Sequence, residues 1–208
     1  AYNPFIYTDT VRCSVRASLD KESVTLAHDY STAISEGITM FWSAHEAEME
    51  FREKLIDALG DVLPAECILT NPGALVESAT DATDLLVVEP DTTEQVAELV
   101  KLANDMKFAL IPRGGGSGMT GGAVPARKRT LIVSLTRLTR VGPIDMKEMT
   151  VTCQAGAITQ TVINDVDAAG ALFSVDPASK HASTIGGNVS ENAGGPMAFE
   201  YGTTLDNL

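Results

Sequence analysis

The stretch that most constrains this chain is Pro112–Pro125, PRGGGSGMTGGAVP, in which six of fourteen residues are glycine. It follows directly on an apolar run, Phe108–Ile111. Residues without Cβ reach positive φ and let backbone N–H groups approach a ligand closely. Several such groups converging in one loop form an anion-binding concavity suited to a phosphate or diphosphate. Hydrogen bonds to a charged acceptor contribute about 1.5–3 kcal/mol each, so a few would anchor a diphosphate. A glycine-rich hairpin or surface turn with no ligand is the competing explanation at this point.

The flanking pattern is that of an α/β chain. Leu85–Val88 is a buried-strand run closed by Pro90. Thr92–Lys107 has helical spacing, with Val96, Leu99, Val100, Ala103 and Met106 on one stripe. Thr92 and Gln95 have capping-box spacing. With Phe108–Ile111 as the next strand this is a βαβ unit, whose strands should be parallel and whose crossover should be right-handed. The glycine loop leaves the C-terminal end of the second strand, where ligands of open α/β sheets bind. Thr130–Leu135 and Thr150–Gln154 read as further strands. Ile158–Ala169 reads as a helix through Ile158, Val162 and either Val166 or Ile163, with Gly170 just past its end. Leu172–Val175 is a short extended piece leading into Asp176-Pro177. A second glycine-rich segment, Ser179–Gly195 (SKHASTIGGNVSENAGG), follows.

Gly116, Gly118 and Gly121 match G-x-G-x-x-G, but a dinucleotide fingerprint of that kind must open a helix. Here Gly122, Ala123, Val124 and Pro125 lead through a basic cluster to a strand, and no acidic ribose-binding residue ends a following strand. A P-loop is excluded because no Gly-Lys-Ser/Thr follows. Two glycine segments joined through Asp-Pro are hard to explain as turns alone, and the ligand-free alternative weakens accordingly.

Upstream, His45–Gly60 places Phe51, Leu55 and Leu59 at i, i+4 and i+8, an amphipathic helix with Gly60 as its stop. Glu46, Glu48 and Glu50 are its solvated first turns rather than catalytic carboxylates. Residues 1–44 are hard to read. Asp20–Glu36 has a weak helical pattern ending at Gly37, and Phe5, Phe41 and Trp42 are expected to pack in a core or interface rather than stack on a substrate.

A net charge of −13 and a pI near 4.5 argue against nucleic acid or an anionic membrane as partner, since both select Lys/Arg clusters. Any anionic ligand must then be held by local dipoles and a few placed cations. No apolar run approaches a membrane span, and AYNPFIYTDT has no signal-peptide core. Cys13, Cys67 and Cys153 show no C-x-x-C spacing. No metal site or disulfide framework is expected, and buried thiols in a reducing, cytoplasmic compartment are the simpler account.

PRGGGSGMTGGAVP and VDPASKHASTIGGNVSENAGG together resemble the FAD-binding domain of the vanillyl-alcohol oxidase/p-cresol methylhydroxylase superfamily. The resemblance is strongest to the glycolate oxidase flavoprotein subunit and the flavin-dependent D-lactate and D-2-hydroxyglutarate dehydrogenases. It runs from about Phe51 to Leu208, with ATDAT, VVEPDTTEQV and YGTTLDNL in the family's order. It implies an α/β (α+β) FAD-binding domain of two α/β subdomains, truncated and preceded by a mostly helical or irregular extension. The expected divisions are 1–50 for the extension, about 51–140 for the first subdomain and about 141–208 for the start of the second.

The resemblance implies that Arg113, Gly114, Gly115, Gly116, Ser117 and Gly118, with Gly122 and Ala123, wrap the FAD pyrophosphate. Asp176, Pro177 and Ser179 would lie along the flavin side. Thr184, Ile185, Gly186, Gly187 and Asn188, with Ser190, Asn192, Gly194 and Gly195, would complete the pocket. Arg113 would add charge near the diphosphate or make an exterior salt bridge. Relatives that attach FAD covalently through this loop carry a His in it, and this loop has none, so the FAD is expected to be noncovalent. His181 is expected to be packed or on the surface.

The resemblance further implies a flavoprotein oxidoreductase that oxidises a 2-hydroxy acid such as D-lactate or glycolate. Electrons would pass to a separate iron–sulfur module, electron-transfer flavoprotein or quinone, and a homo-oligomer stays open. Catalytic residues are expected beyond Leu208, so this piece alone should be inactive. Similar proteins carry several more residues after the position of Asp84, which a deletion or an omitted loop would explain. The alternative function is a noncatalytic FAD-binding or subunit-interaction domain of a larger redox complex, suggested by the acidity and the unmatched extension.

Overall fold

The computed structural model describes residues 46–69, 86–125, 127 and 129–208. Ala1–Lys54 and Leu55–Leu208 form separate compact units. The expectations for Asp20–Glu36, Phe5, Phe41, Trp42, Cys13 and the chain around Asp84 fall outside the described residues.

Helix α1 spans 46–62 and buries Leu55 and Leu59, with Leu63 continuing the same stripe. Gly60 does not stop it. The helix runs two residues further, and the N–H of Leu63 still donates to Leu59 O at 2.8 Å. Pro64 ends it, because proline disfavours helical backbone at the residue before it.

Four strands make the first sheet: β1 (Ile68–Leu69), β2 (Leu86–Val88), β3 (Ala109–Arg113) and β4 (Thr130–Ser134), in the order β1-β2-β4-β3. β1 is antiparallel to β2, whereas β2 and β3 each run parallel to β4. The two strands of the βαβ unit therefore share a direction but are not neighbours, because β4 lies between them. All five residues of β4 are buried, as its central position demands. Val87 and Ile132 pair across this sheet, with Leu69 packed against them.

Helix α2 (Thr93–Met106) connects β2 to β3. It begins with the expected capping box: Thr92 Oγ1 accepts from Gln95 N, and the Gln95 side chain accepts from Thr92 N, each at 3.2 Å. Lys107 ends it in the left-handed conformation, with φ 60°. Leu99 and Ala103 are buried, but Val100 is exposed, so the apolar stripe is narrower than its spacing suggested. β3 is also displaced from the expected Phe108–Ile111, since it takes in Pro112 and Arg113. It is an edge strand among the described residues, where proline's missing N–H is tolerated.

β5 (Val141–Asp145) and β6 (Thr150–Cys153) form an antiparallel hairpin with a register shift between Val141 and Ile144. Helix α3 (Thr159–Ala168) lays Val162 and Val166 beside Ala157, with Val141, Ile144, Val151 and Phe173 against them. This is a second small core. Gly170, at φ 83°, follows the helix as expected. Leu172–Val175 joins no strand. Two short helices close the chain: α4 (Ile185–Glu191) and α5 (Ala198–Tyr201). The last 3-10 turn, Thr204–Asn207, is tied back through Thr204 Oγ1, which donates to Ala193 O at 2.7 Å.

Candidate functional site

The parallel strands β2, β4 and β3 end together, and the first glycine loop leaves that edge after Arg113. A recess of about 90 Å³ lies there, lined by Arg113, Gly114, Gly115, Ser134 and Thr136 above Val87 and Ile132. The Ser134 hydroxyl bonds the Thr136 hydroxyl at 2.8 Å and donates to Glu89 Oε1 at 3.3 Å. From Gly115 to Gly122 the loop is exposed.

Two features of the loop need glycine for different reasons. Gly116 has φ 69°, and the Arg113 guanidinium folds against the position a Cβ would occupy there, with Nη2 at 2.5 Å from it. Gly115 instead lies so close to the second segment that a Cβ would overlap Ala182 O. Gly114 meets the Thr184 side chain in the same way, while Gly118 and Gly122 face Glu191. Thr120 Oγ1 donates to Glu191 Oε2 at 2.6 Å across 71 residues of sequence. The two glycine segments are therefore in direct contact.

The second segment is held by the start of α3. The N–H groups of Ile185 and Gly186 donate to Ala157 O and Ala155 O at 2.9 and 2.8 Å. Ser183, Thr184, Asn188 and Thr159 are buried polar residues. The Thr159 hydroxyl bonds Ser183 Oγ at 2.8 Å and accepts from Asn188 Nδ2 at 2.8 Å. Thr184 Oγ1 caps α4 by accepting from Gly187 N at 3.2 Å. Burying such groups is tolerable only because they satisfy one another.

The other expected contributors are placed as follows. Asp176 forms a 2.6 Å ion pair with Lys180, and the backbone of Gly195 packs on Asp176 and the buried Pro177. Ser179 is exposed, and its carbonyl accepts from Ala182 N and Ser183 N. Asn192 has φ 50°, and its Oδ1 accepts from Leu205 N at 2.9 Å. Gly194 lies near Ala198 and Thr203. Ile185 packs on the second core, Ala123 is half-buried, and Ser117, Ser190 and His181 are exposed. Asn188 and Asn192 thus direct bonds into the scaffold, whereas the first loop presents its backbone outward. Thr120, Thr159, Ser183 and Glu191 were missed. A Ser-Glu-Asn phrase beside the glycine run was the available signal for Glu191, and no signal marked Thr159.

One polar cluster lies apart from the loops. Cys67 is buried, its thiol donating to Asp91 Oδ2 at 3.4 Å and accepting from Arg137 Nη1 at 3.1 Å. Arg137 Nε also meets Asp91 Oδ1 at 2.8 Å. Burial first, then the bond to Asp91, pushes the Cys67 pKa up. A thiol held protonated is a structural group, not a nucleophile. Among the described residues, no group of His, Cys, Asp and Glu is arranged to hold a metal ion, and no helix is long and apolar enough to cross a membrane.

A family model described as an FAD binding domain matches residues 85–208. The chain belongs to that family. Glycolate oxidase subunit GlcD of Bacillus subtilis is 32% identical over 163 residues, covering 76% of this chain and 34% of that protein. A D-lactate dehydrogenase of Anaerostipes hadrus is 39% identical over 121 residues, covering 58% of this chain and 25% of that protein. A solved alkyldihydroxyacetonephosphate synthase has the same fold, with a TM-score of 0.65 at 24% identity over 74% of this chain and 31% of that one. The chain spans a quarter to a third of the length of these curated relatives.

The residues present fit FAD as the cofactor. The recess, at about 90 Å³, is smaller than the roughly 300–1,000 Å³ of a full ligand pocket. Its lining combines Arg113, Ser134 and Thr136 with the apolar Val87 and Ile132. The exposed glycine backbone next to it carries N–H groups at positions without a Cβ, the kind of donor a diphosphate requires.

Proposed function

We propose that this chain is the FAD-binding portion of a flavoprotein that oxidises a 2-hydroxy acid, such as D-lactate, glycolate or 2-hydroxyglutarate, and passes the electrons to a separate acceptor. The observation that carries this reading is the meeting of the two glycine segments at the C-terminal edge of a parallel sheet, in a chain whose relatives include a glycolate oxidase subunit and a D-lactate dehydrogenase. When bound, FAD supplies the two-electron acceptor for the substrate's α-carbon.

This chain's own residues bind and orient. Gly115–Gly118 and Gly122 offer backbone donors to the diphosphate, and Arg113 adds a cation at the recess in a chain of net charge −13. Thr184–Asn188 forms the wall against which that loop rests. In this reading FAD is noncovalent, which the lack of a His in residues 112–125 supports. In this reading residues 1–50 are an extension, about 51–140 the first subdomain and about 141–208 the start of the second. A reducing, cytoplasmic setting suits the free thiols Cys67 and Cys153.

The test is anaerobic addition of D-lactate, glycolate or D-2-hydroxyglutarate to the intact, flavin-loaded polypeptide. Bleaching of the oxidised flavin band by one of them is the expected result. A flavin band that no 2-hydroxy acid bleaches would overturn the assignment of substrate class.

A further inference from the structure

We propose that Glu191 is a positioning residue for the diphosphate loop, acting through Thr120. This rests on the FAD reading above. Gly118–Gly122 is exposed throughout, and Met119 at its tip is fully exposed. Among the described residues, two bonds hold this tip. One is a backbone turn, Val124 N to Gly121 O at 3.0 Å. The other is the Thr120 Oγ1 bond to Glu191 Oε2 at 2.6 Å. Of these two, the second ties the tip to another part of the fold.

That carboxylate lies close to the loop backbone. A Cβ on Gly122 would lie 2.8 Å from Glu191 Oε1, and one on Gly118 would lie 3.9 Å from Glu191 Cδ. A side chain at 122 would therefore crowd the Glu191 carboxylate where it now bonds Thr120. Glu191 itself is the last residue of α4, which is fastened through Ile185, Gly186 and Asn188 to α3 and the residues before it. Holding a flexible loop in its binding conformation before the ligand arrives removes part of the ordering cost of binding. The carboxylate cannot bond a diphosphate directly, so its contribution runs through the loop.

The experiment uses the full chain and two readouts. Amide hydrogen exchange of residues 116–125 is measured without FAD, and FAD affinity is measured by flavin fluorescence titration. Thr120→Val and Glu191→Ala should each speed exchange at the loop tip and weaken FAD about tenfold, and the double variant should be no worse than either single one. Thr120→Ser and Glu191→Gln keep a donor and an acceptor and should stay within about threefold of wild type. Loop exchange unchanged in Thr120→Val and Glu191→Ala would overturn the proposal, as would FAD losses that add in the double variant. If wild type binds no FAD, the cofactor reading fails, and the exchange data alone then decide whether Glu191 holds the loop.

Discussion

Gly115→Ala adds one methyl group at the contact between the two glycine segments. Built on the backbone, that carbon overlaps Ala182 O and lies 2.9 Å from Ala182 C, whereas carbon atoms rest at about 3.5–4.0 Å. Both neighbours are main chain, so no side chain can rotate away. Ala182 is itself held, since its N–H and that of Ser183 donate to Ser179 O at 2.8 and 2.7 Å. Relief requires two backbone segments to separate, and overpacking of this kind costs about 1–3 kcal/mol. Each kcal/mol lowers Tm by about 2–4 °C in a chain of this size. If the same energy falls on the loop conformation that binds FAD, affinity drops about 5–150-fold. Thermal unfolding with and without FAD, together with an FAD titration, reads both effects. A variant that melts within about one degree of wild type and binds FAD equally well would refute the direct contact.

Gly60→Ala should act in the opposite direction. Gly60 lies inside α1 with nothing within 4 Å of an added Cβ, so chemical denaturation should show a gain of about 0.5–1 kcal/mol. Thr159→Val keeps the shape but leaves Asn188 Nδ2 and Ser183 Oγ without their buried partner, and a loss of about 1–3 kcal/mol is expected in the same assay. Cys67 should resist iodoacetamide near pH 8, just below the ordinary thiol pKa of about 8.5, and react only after unfolding. Its folded pKa is raised, so the native state holds the proton more tightly than the unfolded one. That stabilisation is full below the unfolded thiol pKa and is lost as pH rises through the folded value. Cys67→Ala should lack this alkaline loss in a stability-versus-pH series.

The first βαβ unit was legible because local and tertiary signals agree there: a capping box at Thr92, a buried Leu99 and Ala103, and strands bounded by Pro90 and the glycine loop. Neighbouring in sequence did not mean neighbouring in space, since β4 pairs between β2 and β3. β5 was missed because Gly142 and Pro143 interrupt its pattern, and the register shift beside them shows how the strand accommodates the break. α4 was missed for a related reason. Ile185–Glu191 contains two glycines, each about 1 kcal/mol worse than alanine in a helix, and the segment is helical through its Thr184 cap and its bonds to Ala155 and Ala157. Gly60 misled in the other direction, because a glycine with helical backbone and free space around it need not end a helix. In the candidate site, composition pointed to two segments that the fold brings into contact, but not to how they differ. Backbone exposure belongs to the first loop, while Thr184 and Asn188 are buried scaffold, and only the fold could show Glu191 reaching the loop.

The most direct measurement is flavin content and FAD titration of the wild-type chain beside Gly116→Val. Gly116 has φ 69° and sits against the Arg113 guanidinium; a left-handed backbone costs an ordinary residue about 1–2 kcal/mol, and valine also displaces that arginine. The wild-type chain should bind one FAD, released intact on acid denaturation, and the variant should retain none. A wild-type chain that takes up no FAD, or a Gly116→Val chain that keeps a full equivalent, would contradict the assignment of this loop as the diphosphate clamp.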